Sequence, residues 1–156
     1  MIRVIAVGKI KEKALSSLIE AYRDRILPFH KLLIEEVADE PTSEDLASQL
    51  AGKIKEGERI LTKIKPEDTV ILLDLRGDDF DSMSLAKRID THFTYSANPL
   101  VFVIGGSMGV SETVSQRADL LWKLSSCTFP HQIVRLLVLE QIYRAYKINR
   151  NQTYHK

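Results

Sequence analysis

The chain contains a single cysteine, Cys127. It can close no intrachain disulfide and build no cysteine-rich zinc site, and a reducing, cytoplasmic setting fits it best. Long apolar runs are missing too: none reaches the roughly 18 residues that a bilayer crossing takes. Met1 to Gly8 is short and strand-like, with no small-residue cleavage site, so it does not read as a signal peptide. There is no excess of either charge, with 22 Lys and Arg against 21 Asp and Glu for a net +1, so net charge alone implies no polyanionic partner. Neither the Gly-x-Gly-x-x-Gly fingerprint nor a P-loop with its following Lys is present, which argues against NAD and ATP. His30, His92, His131 and His155 are far apart and form no metal-ligand spacing, so no metal is expected. Ser107 does not sit in a Gly-x-Ser-x-Gly elbow, which leaves a hydrolase little support.

What is there describes an ordinary folded chain. It has 156 residues, 44% hydrophobic and 28% charged, enough for one domain over 1–156 with its own core. Linkers, repeats and low-complexity segments are lacking. The charges are uneven. Between Val134 and Lys156, Arg135, Arg144, Lys147, Arg150 and Lys156 face Glu140 alone. A basic C-terminal segment on a mildly acidic body reads as a local anion-binding face, or as cations completing the dipole of a last helix.

Short apolar runs alternate with longer helical patterns. Strands are expected at Ile2–Val7, Leu32–Val37, Val70–Leu75, Val101–Ile104 and Leu120–Leu124. Helices are expected over Glu12–Leu27 before Pro28, from Thr42 or Ser43 as cap to Ile64, from Ser82 or Ser84 through Phe93, after Ser111, and from His131 to Ile148. Gly52 and Gly57 weaken the second of these, and Arg76–Asp79 reads as a polar turn. The alternation predicts an α/β fold, mainly a parallel sheet with helices on both faces. The last helix is apolar almost all round, from Ile133 to Tyr146. Such a helix is buried on more than one side, either wholly in the core or partly against a second subunit.

Ligands in such sheets bind at the carboxyl ends of the strands. Three of these ends have unusual compositions: Leu73-Asp74-Leu75-Arg76-Gly77, Gly105-Gly106-Ser107-Met108-Gly109 and Leu124-Ser125-Ser126-Cys127-Thr128-Phe129-Pro130. Taken alone, the glycine cluster is a weak signal and reads first as a tight strand-to-helix turn. His131 reads as a cap or packing residue, Cys127 as inert, and Trp122 and Phe129 as core. The tail from Asn149 to Lys156 reads as a frayed terminus or as a polar arm.

Combined, the motifs are more specific. Phe102-Val103-Ile104-Gly105-Gly106-Ser107-Met108-Gly109, Thr128-Phe129-Pro130-His131-Gln132-Ile133-Val134-Arg135, Glu140 to Ile148, the closing Tyr154-His155-Lys156 and the opening Ala6-Val7-Gly8-Lys9 occur in that arrangement. Together they resemble the small SPOUT-class methyltransferases that methylate N3 of a pseudouridine in bacterial large-subunit (23S) ribosomal RNA. The resemblance covers essentially the whole chain.

It implies S-adenosyl-L-methionine as cofactor, a homodimer, and a C-terminal trefoil knot that no periodicity would propose. It places cofactor binding on Leu73, on Gly105, and on Leu124, Ser125, Ser126, Cys127, Thr128 and Phe129. With it, Arg144, Tyr154 and His155 become the expected catalytic group. His155 is the first candidate proton acceptor, since an unperturbed imidazole titrates near 6.5. Arg135, Arg150 and Lys156 become the expected RNA contacts. The absence of an added RNA-binding domain points to a substrate that presents its own site, such as an assembled ribosome. Three other readings compete: a SPOUT enzyme for another RNA position, a non-catalytic ribosome-binding factor, and a doubly wound small-ligand module.

Overall fold

The computed structural model of the protein describes residues 1–154. Five strands form one sheet: β1 (Ile2–Val7), β2 (Leu32–Val37), β3 (Thr69–Asp79), β4 (Leu100–Ile104) and β5 (Leu120–Lys123). They lie in the order β2-β1-β4-β3-β5, and every neighbouring pair is parallel. The connecting helices are α1 (Lys13–Ile26), α2 (Leu46–Leu61), α3 (Ser82–Tyr95), α4 (Glu112–Arg117) and α5 (His131–Asn149).

Side chains alternate between the two faces of a strand, and here both faces are covered. Ile2, Val4 and Ala6 of β1 join Phe102 and Trp122 in a core closed by α1, α3 and α5. Ile5 and Val7 join Leu72, Val101 and Val103 in a second core with Ile60 of α2 and Val114 of α4. That is why the central strands read as continuous apolar runs rather than alternating ones. No helix among the described residues is long and apolar enough to cross a membrane.

Four local expectations are corrected. Arg76–Asp79 is not a turn; β3 runs on through it to Asp79. Its pairing with β5 resumes at Asp78–Trp122 after an irregularity beyond Leu73. Gly77 is what allows this, because a Cβ there would lie 2.6 Å from the Trp122 backbone nitrogen. The cap of α2 is Asp45, whose carboxylate accepts from the Ser48 amide; Ser43 instead accepts from the Asp45 amide. The cap of α3 is Asp81, one residue before the expected serine. Ser111 does sit at the start of α4, but its hydroxyl pairs with Thr113 and makes no cap bond.

The segment from Arg150 to Tyr154 is held in an identifiable way. Asn151 adopts a left-handed conformation, φ 51°. The Gln152 amide donates to the Lys147 carbonyl and the Asn151 amide to the Ile148 carbonyl, both at 2.9 Å. This double closure of a helix end is the Schellman arrangement. It turns the chain back so that Tyr154 packs edge-on against Tyr143, ring centroids 4.9 Å apart. Up to Tyr154 the tail is therefore held and not frayed.

Candidate functional site

The three glycine- and serine-rich strand ends converge. Beyond the carboxyl ends of β3, β4 and β5 lies a cleft of about 1250 Å3, lined by Leu73 to Arg76, by Ile104 to Thr113 and by Leu124, Ser125 and Cys127 to His131. Helix α2 forms a further wall through Leu50, Lys53 and Ile54. The volume exceeds the roughly 300–1,000 Å3 of ordinary small-molecule sites. The cleft has room for a nucleoside-sized ligand and for a second group beside it.

The chemistry of the walls is mixed. Leu73, Ile104, Leu124 and Val134 supply apolar surface. Trp122 lines the floor, with an indole N–H that has no partner among the described residues. Asp74 is the best-held charge. Arg76 donates to its carboxylate from Nε at 3.0 Å, from Nη2 at 2.8 Å and from the backbone amide at 2.8 Å. These donors hold the Asp74 carboxyl below the usual range, so it stays anionic. The Gly105–Gly109 turn closes on itself: Gly109 has φ +82°, and its amide donates to the Gly106 carbonyl at 3.1 Å. A Cβ at Gly105 would lie 2.6 Å from Val110 Cγ1. Backbone therefore forms the surface here, as close approach to a ligand requires. The bared backbone of the glycine turn and the apolar walls suit a nucleoside-sized ligand, and the Asp74 carboxylate beside them is matched by Arg76.

His131 is more than the cap or packing residue its sequence position suggests. Pro130 occupies the cap position, and His131 is the first residue of α5 and lines the cleft. Burial lowers its pKa, with Arg135 adding to the effect and Asp39 opposing it. It is an imidazole kept neutral at the wall of the cleft. Trp122 is buried as expected, but it also forms floor. The α2 wall has no counterpart among the sequence expectations. Its only trace there is the apolar spacing of Leu46, Leu50 and Ile54, all of which are exposed.

The expected site residues divide into two places. Leu73, Gly105, Leu124, Ser125, Cys127, Thr128 and Phe129 line the cleft; Ser126 is exposed and is not among the lining residues. Arg144 and Tyr154 are elsewhere, toward the far end of α5. From Val134 at the cleft to Arg144 is ten residues, or about 15 Å of helix at roughly 1.5 Å per residue. There the Arg144 guanidinium lies 4.7 Å from the Tyr154 ring centroid and pairs with Glu140 Oε1 at 2.5 Å. The Tyr154 hydroxyl donates to Glu140 Oε1 at 3.2 Å. Burial, the Tyr22 hydroxyl and the Glu140 charge all raise its pKa, so it stays a phenol.

Arg135 corrects an expectation. The resemblance puts it on the RNA face, yet it is 1% exposed and donates to Glu36 Oε1 at 2.6 Å and to the Gly8 carbonyl at 2.8 Å. Its charge is consumed inside the fold. Arg150 is exposed and stacks over Phe29 at 4.5 Å. His155 and Lys156 lie outside the described residues.

The chain is similar to known proteins over its whole length. The family model described as "Predicted SPOUT methyltransferase" matches residues 1–155. A protein of Exiguobacterium named ribosomal RNA large subunit methyltransferase H is 47% identical over 99% of both chains. Its namesake in Carboxydothermus hydrogenoformans is 46% identical over the same shares. Among solved structures, a probable methyltransferase from Bordetella pertussis Tohama I aligns with a TM-score of 0.58. It is 14% identical and the match covers 92% of this chain and 93% of that one. At that identity the likeness speaks for the fold alone.

Proposed function

This chain belongs to the SPOUT methyltransferase family, and from that premise we propose that it is an S-adenosylmethionine-dependent methyltransferase of large-subunit ribosomal RNA, acting at N3 of a pseudouridine. The observation that carries the reading is the cleft at the carboxyl ends of β3, β4 and β5. Three separate loops build it, and they coincide with the segments through which the family resemblance places the cofactor.

Leu73, Gly105, Leu124, Ser125, Cys127, Thr128 and Phe129 would hold the cofactor, with Ser126 shaping the same loop from outside. S-adenosylmethionine supplies an electrophilic methyl on a sulfonium that leaves as a neutral thioether, so no metal is required. The target nitrogen is the harder half of the problem. N3 of pseudouridine is an imide N–H between two carbonyls and is a poor nucleophile until its proton is removed. The protein must accept that proton and hold the nitrogen in line with the methyl; such positioning is worth about 7–11 kcal/mol.

Tyr154 is suited to stack on the base or to donate a hydrogen bond, not to take the proton, because its phenol is held protonated. Arg144 supplies positive charge beside it for the imide anion. His155 is the proton acceptor in this reading, and Arg150 and Lys156 bind phosphates. In one chain the catalytic group and the cleft are apart along α5. A homodimer built partly on α5, in which the tail of one subunit meets the cleft of the other, unites them. Exposed Ile133 and Phe129 beside the cleft supply apolar surface for that contact. The trefoil knot is what membership of the family implies. The substrate is the rRNA within an assembled ribosome.

The test is mass spectrometry of 23S rRNA digests from cells with and without the gene, together with methylation of purified ribosomes in vitro. A methylpseudouridine that disappears with the gene and returns on adding protein and cofactor is expected. An unchanged digest overturns the reading.

A further inference from the structure

The face of α2 turned away from solvent carries Gly52, Glu56, Gly57 and Ile60, all buried. Glycine is costly inside a helix, and the structure shows what each admits. A Cβ at Gly52 would lie 2.8 Å from the Met108 methyl, and one at Gly57 would overlap the Ser111 hydroxyl. Both neighbours belong to the stretch that leaves β4 through the glycine turn. Between them stands Glu56, which is 3% exposed. Its Oε1 accepts the Glu40 amide at 2.8 Å, while its Oε2 is buried and has no partner among the described residues. That free oxygen lies against the turn itself: a Cβ at Gly106 would stand 2.8 Å from it.

We propose that Glu56 is a positioning residue for the cofactor turn, and that its carboxyl holds the β2–α2 segment and the Gly105–Gly109 turn together in the protonated state. The inference rests on the reading of the cleft as the cofactor site. A carboxylate with a dry oxygen is costly to bury. The surroundings compensate for it only in part. Asp39 and Glu40, on the segment before α2, add negative charge, and the Arg59 guanidinium that faces them already serves the Glu40 carboxylate and the Ala38 carbonyl. Lys55 Nζ lies 3.8 Å from Glu40 Oε2 and not on Glu56. From α5, the His131 ring lies near Gly8, as does the Asp39 carboxylate. Burial first, then Asp39 and Glu40, raise the Glu56 pKa, against the Glu40 amide and Arg59. When the proton leaves, an unmatched charge appears against the backbone of the turn and loosens it. The Thr42–Ser107 hydroxyl pair at 3.2 Å, near the other end of the same seam, is exposed and offers little resistance.

The test compares wild type with Glu56→Gln and Glu56→Ala in the full-length protein. Two measurements are made over a pH series: hydrogen exchange of the Gly105–Gly109 amides without cofactor, and S-adenosylhomocysteine affinity by calorimetry. In wild type, protection of the turn and affinity should both fall as pH rises through the Glu56 titration. Glu56→Gln keeps the neutral shape, so it should match the low-pH wild type and lose the decline with rising pH; a remaining slope of opposite sign, lower on the acid side, belongs to His131, whose pKa burial lowers. Glu56→Ala should weaken binding and turn protection by about tenfold or more at every pH. If Glu56→Gln falls as far as Glu56→Ala, or keeps the wild-type decline with rising pH, the inference is overturned. Hydrogen exchange distinguishes these outcomes without cofactor. A wild type that binds no S-adenosylhomocysteine would count against the proposed function, while the exchange data would still decide the role of Glu56.

Discussion

Arg135 of α5 donates from Nη2 to the Gly8 carbonyl at 2.8 Å, so a cation from the last helix closes the end of the first strand. Its other arm reaches Glu36 at the end of β2. Glu36 lies at the surface and can turn to water when Arg135 is removed, but the buried Gly8 carbonyl loses a charged donor, which costs about 1–3 kcal/mol. Arg135→Ala should therefore destabilise the protein by about that amount in urea unfolding. It should leave the salt dependence of ribosome binding unchanged. Exposed Arg150 is the contrast. Arg150→Ala should shift stability by less than about 0.5 kcal/mol and reduce the salt slope of binding by about one. Reversal of the two outcomes would return Arg135 to the RNA surface.

Gly105→Val should abolish cofactor binding. The first atom of any side chain there already meets Val110 at 2.6 Å, and a β-branched group adds two more carbons where the backbone should face the ligand. Circular dichroism should show the fold retained, since the clash falls on the Val110 side chain, which is only partly buried at the rim of the second core. Unchanged affinity in titration calorimetry would mean that the ligand does not approach this turn.

Stability should fall on the acid side of pH 6.5, and His30 should be one cause. Its ring lies tilted against that of Phe93, centroids 4.0 Å apart, and burial lowers its pKa, helped by the N-terminus and His92. His131 shifts in the same direction, mainly through burial. For both groups the unfolded chain takes up the proton first, so unfolding binds protons and stability rises with pH up to the ordinary histidine value of 6.5. In denaturant titrations between about pH 5 and 7, the range in which histidines titrate, His30→Phe should flatten part of this slope. A slope identical to wild type would show that the ring is not held neutral.

Much of this molecule is readable in its sequence because the central strands are apolar on both faces and end in glycine. β1, β2, β4 and β5 lie where runs of Ile, Val and Leu put them, and strand ends with glycine turns mark the cleft. The β3 extension is hidden because Asp74, Arg76, Asp78 and Asp79 favour turns; pairing with β5 overrides that preference. The caps differ by one to three residues because Asp competes equally with Ser and Thr. Arg135 is illegible for another reason. An arginine between apolar neighbours reads alike whether its helix turns it outward or toward Gly8. Gly52 and Gly57, which look like flaws in α2, are the points where the glycine turn of β4 packs into the helix, and only the assembled layers show it. The knot enters through family resemblance alone.

Tyr154 packs on Tyr143, Arg144 and Tyr22 at the end of α5, a helical distance of about 15 Å from the cleft lining at Val134. Yet an RNA base must meet the tail groups and the cofactor at once if both act on it. Two chains arranged so that the tail of one faces the cleft of the other satisfy this, and one chain as described does not. Tyr154 is only half-buried, so deleting Tyr154 to Lys156 should leave fold, dimer and cofactor affinity nearly intact. Methyl transfer to ribosomes should nevertheless drop by orders of magnitude, because the base loses its stacking and its proton acceptor together. Light scattering must first show a dimer; a mass of 17.7 kDa at micromolar concentration would rule the arrangement out. Two inactive variants then decide the rest, one lacking the tail and one carrying Gly105→Val. Mixed dimers contain one site whose cleft comes from the truncated chain and whose tail comes from the other, and that site should work. If subunit exchange is confirmed by mass and the mixture stays inactive, the tail does not act across the dimer.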